Sequence, residues 1–257
     1  MWICPVCSGK EQSKYKCTQC GFDEREDFIK YRTVCSVSAE NFKKRQEQGA
    51  NAIVEKRYSD GEYTGTMKNG KKDGHGIFCW DDGWLYEGEW KNDDMNGQGT
   101  YYYANGNRYE GDWVNGKKEG LGTFYWIGGD RYEGEWKNGD MNGQGTFYYA
   151  SGERYEGDWV NGKKEGLGTF YWSDGDRYEG EWKNDDMNGQ GTYYYANGAR
   201  YEGGWKNDKK EGYGVFYWSN GDRYEGGWKN DKQEGYGVFY WSNGDCYEGE
   251  WKDGKRQ

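Results

Sequence analysis

Four cysteines near the start of the chain have the spacing of a metal site. They form two Cys-x2-Cys pairs separated by nine residues, at Cys4, Cys7, Cys17 and Cys20. Two such pairs can place four thiolates at the corners of a tetrahedron, which is the geometry of structural zinc. A site with four protein ligands is closed to substrates, so we expect the metal to supply folding energy to a short segment rather than catalysis. Iron held by the same thiolates is the alternative.

Pairs of carboxylates two residues apart could, in principle, support acid–base catalysis. Glu87 and Glu89 form one such pair, and equivalent pairs recur at Glu110/Asp112, Glu133/Glu135, Glu156/Asp158 and Glu179/Glu181. A catalytic pair needs one distinctive environment that separates its two pKa values. A pair that recurs along the chain is instead typical of an exposed sheet face, where we expect it to face Arg or Lys side chains across strands.

Other features that could do chemistry also belong to a repeated pattern. His75 is the only histidine, and the same position in later copies holds Gln, Leu or Tyr. Gly-Leu-Gly at 120–122 begins like a dinucleotide fingerprint, but a third glycine and a following helix are missing. Cys79 and Cys246 stand where other copies carry Tyr and Arg, and we interpret both as drift. The sequence therefore predicts no catalytic residues and no enzyme.

The elements that position these residues repeat every 23 residues. A tyrosine opens each copy, from Tyr63 to Tyr247, which gives eight full copies and a partial ninth. A fixed period of this length is typical of arrays in which each unit contacts mainly its neighbours. A second period of 46 residues arises because alternate copies share "DMNGQGT" or "DWVNGKKEGLGTFYW". We attribute it to duplication of a two-copy block.

Each copy has the pattern of a β-hairpin. "RYEGEW" alternates strictly, so Tyr109, Gly111 and Trp113 share one face of a strand. A ring-rich segment such as "GTFYW" follows after an Asn-Gly turn signal. Glycine on the aromatic face lets a neighbouring ring lie against the backbone. With a leading strand at 53–58, nine first strands and eight second strands, the sequence predicts 18 strands in an elongated, single-layer antiparallel sheet.

The stretch "YEGEWKNGDMNGQGTFYYASGER" at 132–154 resembles a MORN repeat. The resemblance covers residues 63–257, with local departures in the first copy at Thr64, Met67 and Cys79. It implies an all-β array of β-hairpins that serves as a scaffold or dimerisation module. Some MORN proteins are associated with phospholipids, so a membrane-recruiting adaptor that binds anionic lipid is the alternative function. The four N-terminal cysteines similarly resemble a short zinc ribbon of the kind found at bacterial protein N-termini.

Composition and charge narrow the class of partner. The chain carries 35 basic and 45 acidic residues, a net charge of −10. Nucleic acids and acidic membranes attract positive charge, so we expect no nucleic acid and consider a membrane unlikely. The 26 tyrosines, 15 tryptophans and 9 phenylalanines must supply the buried core. We therefore expect a scaffold that holds a protein partner, whose identity the sequence does not reveal.

The sequence predicts three segments: a zinc ribbon at 1–28, a linker with a short helix at 29–51, and the array at 52–257. No apolar run reaches the roughly 20 residues of a membrane span, and the first residues lack the apolar region of a signal peptide. Clustered cysteines favour a metal in a reducing compartment over disulfides. We accordingly expect a cytoplasmic protein.

The partial ninth copy predicts an edge. Its first strand, at 247–251, is expected to have no second strand beside it. Unpaired N–H and C=O groups on such a strand can pair with another chain. A weak homodimer with two-fold symmetry is therefore expected through this edge strand, and a monomer is the alternative.

Overall fold

A computed structural model of the protein describes residues 2–3, 10–11, 39–40, 43 and 52–257. Cys4, Cys7, Cys17 and Cys20 lie outside the described residues, so the zinc ribbon stays a prediction. Ala39, Glu40 and Lys43 are helical and fall within the predicted linker helix. The remaining residues of that helix also lie outside the described part of the chain.

β-strands make up nearly all of the regular structure described. Two short strands near the start, β1 (Trp2–Ile3) and β2 (Lys10–Glu11), pair with each other. The strands of the array are β3 (Val54–Arg57), β4 (Gly61–Lys68), β5 (Lys71–Trp80), β6 (Leu85–Lys91), β7 (Asp94–Tyr102), β8 (Arg108–Val114), β9 (Lys117–Tyr125), β10 (Arg131–Lys137), β11 (Asp140–Tyr148), β12 (Arg154–Val160), β13 (Lys163–Tyr171), β14 (Arg177–Lys183), β15 (Asp186–Tyr194), β16 (Arg200–Lys206), β17 (Lys209–Tyr217), β18 (Arg223–Lys229), β19 (Lys232–Tyr240), β20 (Cys246–Lys252) and β21 (Lys255–Arg256). This confirms the predicted all-β array of antiparallel hairpins.

The chain divides into two compact units. The first comprises Met1–Gly129 with Trp136–Gly139, and the second comprises Asp130–Glu135 with Asp140–Gln257. In the first unit each strand from β3 to β9 pairs antiparallel with the next. The same sequential pairing joins β11 to β21 in the second. Strand β10 contributes residues to both units.

The hairpin turns have the left-handed backbone that the Asn-Gly signal predicts. Asn161 has φ of 50° and Gly162 has φ of 78°, as the two central residues of a type I′ turn require. In other copies aspartate follows the asparagine, and Asp185 has φ of 76°. The Gly162 N–H donates to the Met141 carbonyl of the preceding copy at 2.9 Å. The turns therefore also connect neighbouring repeats.

The core lies on the aromatic face of each hairpin. Tyr155 is fully buried and Trp159 nearly so. The Tyr155 ring lies over Gly157 and Gly168, where any added Cβ would collide with its hydroxyl. That hydroxyl donates to the Asp158 carbonyl at 3.1 Å, and the ring meets Trp182 of the next copy edge-on, with centroids 5.3 Å apart. The predicted packing of rings over glycine is confirmed, and each copy covers its aromatic face with its neighbours.

A register shift occurs at the same place in seven of the hairpins. Gly157 of β12 pairs with Gly168 of β13, and Trp159 pairs with Lys164. Between these pairs β13 has three residues and β12 has one, so β13 bulges. The bulge changes which side chains face each other across strands.

The array has one strand more than the 18 that the sequence predicts, because of β21. β21 folds back on β20, so that Arg256 pairs with Trp251 and Lys255 with Lys252. The Gln257 N–H also donates to the Glu250 carbonyl at 3.0 Å. The far end of β20 is therefore paired, and the open edge expected over 247–251 is shorter than predicted. The sequence analysis did not predict β21, because a strand of two residues is too short to show the alternation of side chains that marks a strand. The homodimer through this edge stays a prediction.

The interpretation of Cys79 as drift was wrong. Cys79 is disulfide-bonded. Cys246 is a free, exposed thiol. Two cysteines form a disulfide only when they are close in the fold, and the sequence around Cys79 does not show that proximity.

Candidate interaction surface

The structure offers no metal centre in the array. Within residues 52–257 and the few described before them, no three His, Cys, Asp or Glu side chains are grouped to hold a metal ion. The predicted ligands Cys4, Cys7, Cys17 and Cys20 are outside that part of the chain. None of the helical residues described forms a helix long and apolar enough to span a bilayer.

In four of the five repeated pairs the first carboxylate lies beside an arginine of its own strand, whereas the strand of Glu87 has Leu85 in place of the arginine. Arg154 Nε is 2.8 Å from Glu156 Oε1, and the Arg154 guanidinium stacks on Tyr171 with its Cζ 4.3 Å from the ring centre. The expectation of ion pairs across strands was therefore wrong for this row, because residues two apart on a strand share a face. Both charged groups are partly exposed, so each pair contributes less than about 1 kcal/mol.

The second carboxylate accepts a backbone N–H in four of the five pairs, at Asp112, Glu135, Asp158 and Glu181. Asp158 accepts the Leu167 N–H at 2.9 Å, and Glu181 accepts the Gln190 N–H at 2.8 Å. These N–H groups belong to the bulge of the second strand, where the ladder is interrupted. The two acids of a pair thus bind different groups for different structural reasons, and neither arrangement offers a general acid beside a general base.

Lysine and methionine alternate over the buried tryptophans. Lys164 Nζ lies 4.3 Å from the centre of the Trp182 ring and 4.9 Å from Phe170. Burial lowers the pKa of Lys164, although Asp185 opposes this shift. The equivalent position in the next copy is Met187, which is buried. The 46-residue period therefore affects packing: the same buried position of the repeat is occupied by lysine at 164 and by methionine at 187.

The face opposite the rings, here called the outer face, carries a column of exposed apolar residues. Leu121 and Leu167 are 66% and 65% exposed, and Tyr213 and Tyr236 are 62% and 60% exposed. The intervening copies have Gln98, Gln144 and Gln190 at this position. The sequence analysis used this repeat position only to argue that His75 is not a required base. The signal that identifies the position as a candidate surface is an apolar residue on the strand face that is otherwise polar.

A shallow depression lies on the outer face of the second unit. It has a volume of about 630 Å³ and is lined by Gln144, Thr146, Glu156, Leu167 and Thr169 together with backbone glycines. Its lining is mainly polar and contains no histidine, cysteine or lysine. The depression suits contact with a partner surface better than chemistry on a small substrate.

The last two full copies modify this face. Gly204 and Gly227 replace the acid that caps the bulge in the four preceding copies, and Val215 and Val238 replace the threonine of those copies. The Tyr213 hydroxyl donates to Glu225 at 2.6 Å, and the Tyr236 hydroxyl donates to Glu248 at 2.7 Å. We call Tyr213, Val215, Tyr236 and Val238 the tyrosine platform. It is less acidic and more apolar than the outer face of the preceding copies.

In the second unit, lysines face each other at the turn end of three hairpins, and in the first unit Lys68 faces Lys71 in the same way. The directly opposed pairs of the second unit are Lys206 with Lys209, Lys229 with Lys232, and Lys252 with Lys255. Opposed like charges destabilise a sheet slightly. In earlier hairpins of the unit the matching pair is Lys183 with Asp186 or Val160 with Lys163. Within the second unit, the positive charge is therefore concentrated at the turns of the last three hairpins.

Together these features define a repeat protein of identical β-hairpins whose rings are buried and whose opposite face is free for contacts. The family model described as MORN repeat matches residues 63–85, 86–108, 109–131, 132–154, 155–177, 178–200, 201–223, 224–246 and 247–257. The chain belongs to the MORN repeat family, which is generally a non-enzymatic repeat module that serves in interactions.

Two solved structures show distant similarity. The TCP10 domain of Danio rerio CPAP, in complex with a peptide of Danio rerio STIL, is 13% identical, with a TM-score of 0.38 over 78% of this chain and 100% of that one. A streptogramin B lyase is 10% identical, with a TM-score of 0.17 over 79% of this chain and 83% of that one. No curated protein matches the sequence.

Proposed function

We propose that the protein is a non-enzymatic scaffold that binds a protein partner along the outer face of its MORN array. One observation carries this proposal: the rings are buried within the array, whereas the same repeat position on the opposite face is exposed and apolar at Leu121 in the first unit and at Leu167, Tyr213 and Tyr236 in the second. Isolated exposed apolar residues are common, but apolar residues in register along a repeat array are typical of a binding surface.

A structural zinc ion completes this proposal. The spacing of Cys4, Cys7, Cys17 and Cys20 supports a four-thiolate site, with zinc ahead of iron. Such a site would fold the N-terminal segment and leave the array to bind the partner. A reducing, cytoplasmic setting would keep these thiols available for the metal, whereas the disulfide at Cys79 favours an oxidising one.

A capture experiment tests the outer face. Immobilised full-length protein is compared with a Leu121→Gln/Leu167→Gln variant, because glutamine already occupies this column at Gln98 and Gln144. The matched control is Val160→Lys, since Val160 is exposed at the turn end and another copy has Lys183 there. We expect the double variant to retain about a tenth or less of the bound partner, and the control to retain it fully. Equal capture by all three proteins would exclude the outer face.

The second candidate is an adaptor that binds anionic phospholipid. The three opposed lysine pairs at the turns of the second unit favour it, because about 1 kcal/mol per basic residue attracts a protein to an acidic membrane surface. The net charge of −10 opposes it. Co-sedimentation with phosphatidylserine vesicles at low and physiological salt separates the candidates. Lipid binding should disappear in a Lys229→Gln/Lys232→Gln variant, while partner capture through the outer face should not change.

A further inference from the structure

Two tyrosines one repeat apart distinguish the last two full copies. Tyr213 on β17 and Tyr236 on β19 are exposed on the outer face of the second unit. Preceding copies of this unit have Gln144, Leu167 and Gln190 in the same column. The rings therefore add aromatic surface at one place in an otherwise regular array.

Each ring is held in position by the following strand. Tyr213 donates its hydroxyl proton to Glu225 on β18, and Tyr236 donates to Glu248 on β20. A tyrosine anchored at both its Cα and its hydroxyl extends across the neighbouring strand instead of rotating in solvent. Such rings lose little conformational entropy when a ligand packs on them.

Apart from the carboxylates that anchor the two rings, and from Glu250 opposite Tyr236, their neighbours on the outer face are small or apolar. Gly227 lies directly opposite Tyr213 on β18. Val215 and Val238 are both paired with Glu225, one from each side. The platform thus lacks the capping acid and the threonines found in earlier copies, which leaves the rings accessible from above.

The repeat sets the spacing of the two rings. Because β18 separates β17 from β19, the tyrosines are about 9.6 Å apart. A polyproline II helix repeats every three residues, which is about 9.3 Å. Alternate residues of an extended strand are only about 6.7 Å apart. Prolines three residues apart would therefore place one pyrrolidine ring on each tyrosine, as in other aromatic surfaces that recognise this conformation.

Charge at one end of the platform favours a basic residue in the ligand. Cys246 stands where six copies carry arginine. In the preceding copy Arg223 lies 3.5 Å from Glu225, but in the described part of the chain Glu248 and Glu250 form no ion pair with a lysine or arginine. Two carboxylates beside Tyr236 are thus left for a cation supplied by a partner.

We propose that the tyrosine platform binds a proline-rich segment of a partner protein in the polyproline II conformation. Two prolines three residues apart pack on Tyr213 and Tyr236, and an arginine or lysine beyond the second proline pairs with Glu248 and Glu250. This inference rests on the proposed scaffold function and names the partner class for one part of the outer face.

Isothermal titration of the full-length protein with a synthetic peptide tests the proposal. The probe is acetyl-Ala-Pro-Pro-Ala-Pro-Pro-Ala-Arg-Ala-amide. We expect saturable binding that weakens at least about tenfold in a Tyr213→Gln/Tyr236→Gln variant. Glutamine is native to this column, so the fold should be retained. The control, Val160→Lys, changes an exposed residue at a turn end where another copy has Lys183, and it should bind the peptide like the unmodified protein.

Two altered peptides test the chemistry of the ligand. Replacing the arginine by glutamate should weaken binding several-fold, and replacing all prolines by alanine should abolish it. Equal binding of the alanine peptide would overturn the polyproline II assignment. Equal binding by the Tyr213→Gln/Tyr236→Gln variant would overturn the location.

Failure of this ligand class can be separated from failure of the scaffold. If no peptide binds at millimolar concentration but Leu121→Gln/Leu167→Gln still loses a captured partner, the scaffold function stands and the ligand assignment is wrong. Sedimentation of the unmodified protein and of the tyrosine variant tests a second copy as occupant. Self-association lost only in the tyrosine variant would assign the platform to that copy and overturn the proposal.

Discussion

The indole N–H of Trp159 donates a hydrogen bond to the carbonyl oxygen of Gly145, fourteen residues earlier in the preceding copy, at 3.1 Å. The same bond recurs along the array, from Trp90 to Gly76 at one end and from Trp251 to Gly237 at the other. Each of these tryptophans therefore packs within its own hairpin and donates a hydrogen bond to the backbone of the preceding hairpin. Coupling between neighbours is what allows short hairpins to be stable together.

Replacing Trp159 by phenylalanine should weaken this coupling. The variant retains a ring but leaves a buried carbonyl without its donor, so we expect a loss of about 1–3 kcal/mol in the free energy of unfolding. Trp84→Phe is the control, because Trp84 is 41% exposed. Urea denaturation followed by far-UV circular dichroism measures both. A smaller effect at Trp159 than at Trp84 would contradict the coupling role.

Adding one methyl group under a buried tyrosine should be costly. In Gly168→Ala the new Cβ collides with the Tyr155 hydroxyl, and overpacking of this kind costs about 1–3 kcal/mol. Gly128→Ala is the matched control, because nothing lies within 4 Å of a Cβ there and its φ is not left-handed. The midpoint of urea denaturation should fall for the first variant only.

The buried tyrosines should make the fold sensitive to alkali. Burial raises the pKa of Tyr224 to about 12 and raises the pKa of Tyr155 further. An unfolded tyrosine ionises near pH 10, so the stabilisation is complete below pH 10 and is lost as pH rises through the folded pKa. Absorbance at 295 nm should show a group of tyrosines that ionises only together with loss of the circular dichroism signal. Ionisation of all tyrosines near pH 10 in a folded protein would contradict this burial.

Lys164 should make the folding stability rise with pH in the moderately alkaline range, which is opposite to the effect of the buried tyrosines. Its pKa is lowered in the folded protein mainly by burial, so the unfolded chain binds more protons between the folded pKa and about 10.5. Stability from this group therefore rises with pH in that window. In Lys164→Met, which copies the arrangement at Met187, this dependence should disappear. The stability difference between the two proteins should shift in favour of the native lysine as pH increases, and a constant difference from pH 7 to 10 would contradict this.

The N-terminal cysteines should hold one zinc ion per chain. Elemental analysis of the purified protein measures the metal, and a Cys17→Ser/Cys20→Ser variant should lose it because only two thiolates remain. Cys246→Ser is the control, since Cys246 lies in the array as a free thiol. Stoichiometric zinc in the double variant would exclude the four-thiolate site. Iron instead of zinc in the unmodified protein would show that the site is an iron site.

Much of the array could be predicted from residues alone, but the candidate surface could not. Strict alternation in "RYEGEW" assigns Tyr155 and Trp159 to one face, and the structure buries both. The same alternation gives the opposite face to Leu167 and Tyr213, yet it does not reveal how far they are exposed. Exposure depends on whether a neighbouring strand covers them, and that depends on register.

The sequence by itself determined the period, the hairpins, their turns and the ring-over-glycine packing, because these follow from side-chain alternation and backbone conformations within about 23 residues. Only the tertiary structure decided that Glu156 pairs with Arg154 on its own strand and that Asp158 caps Leu167 in a bulge. It also decided that β21 closes part of the last strand and that Tyr213 and Tyr236 are anchored to Glu225 and Glu248. For Asp158 the physical reason is the bulge, since three residues opposite one shift the cross-strand partners and local periodicity does not encode that shift. The pairing of β21 and the anchoring of the two tyrosines depend on contacts between strands, which local periodicity does not encode either.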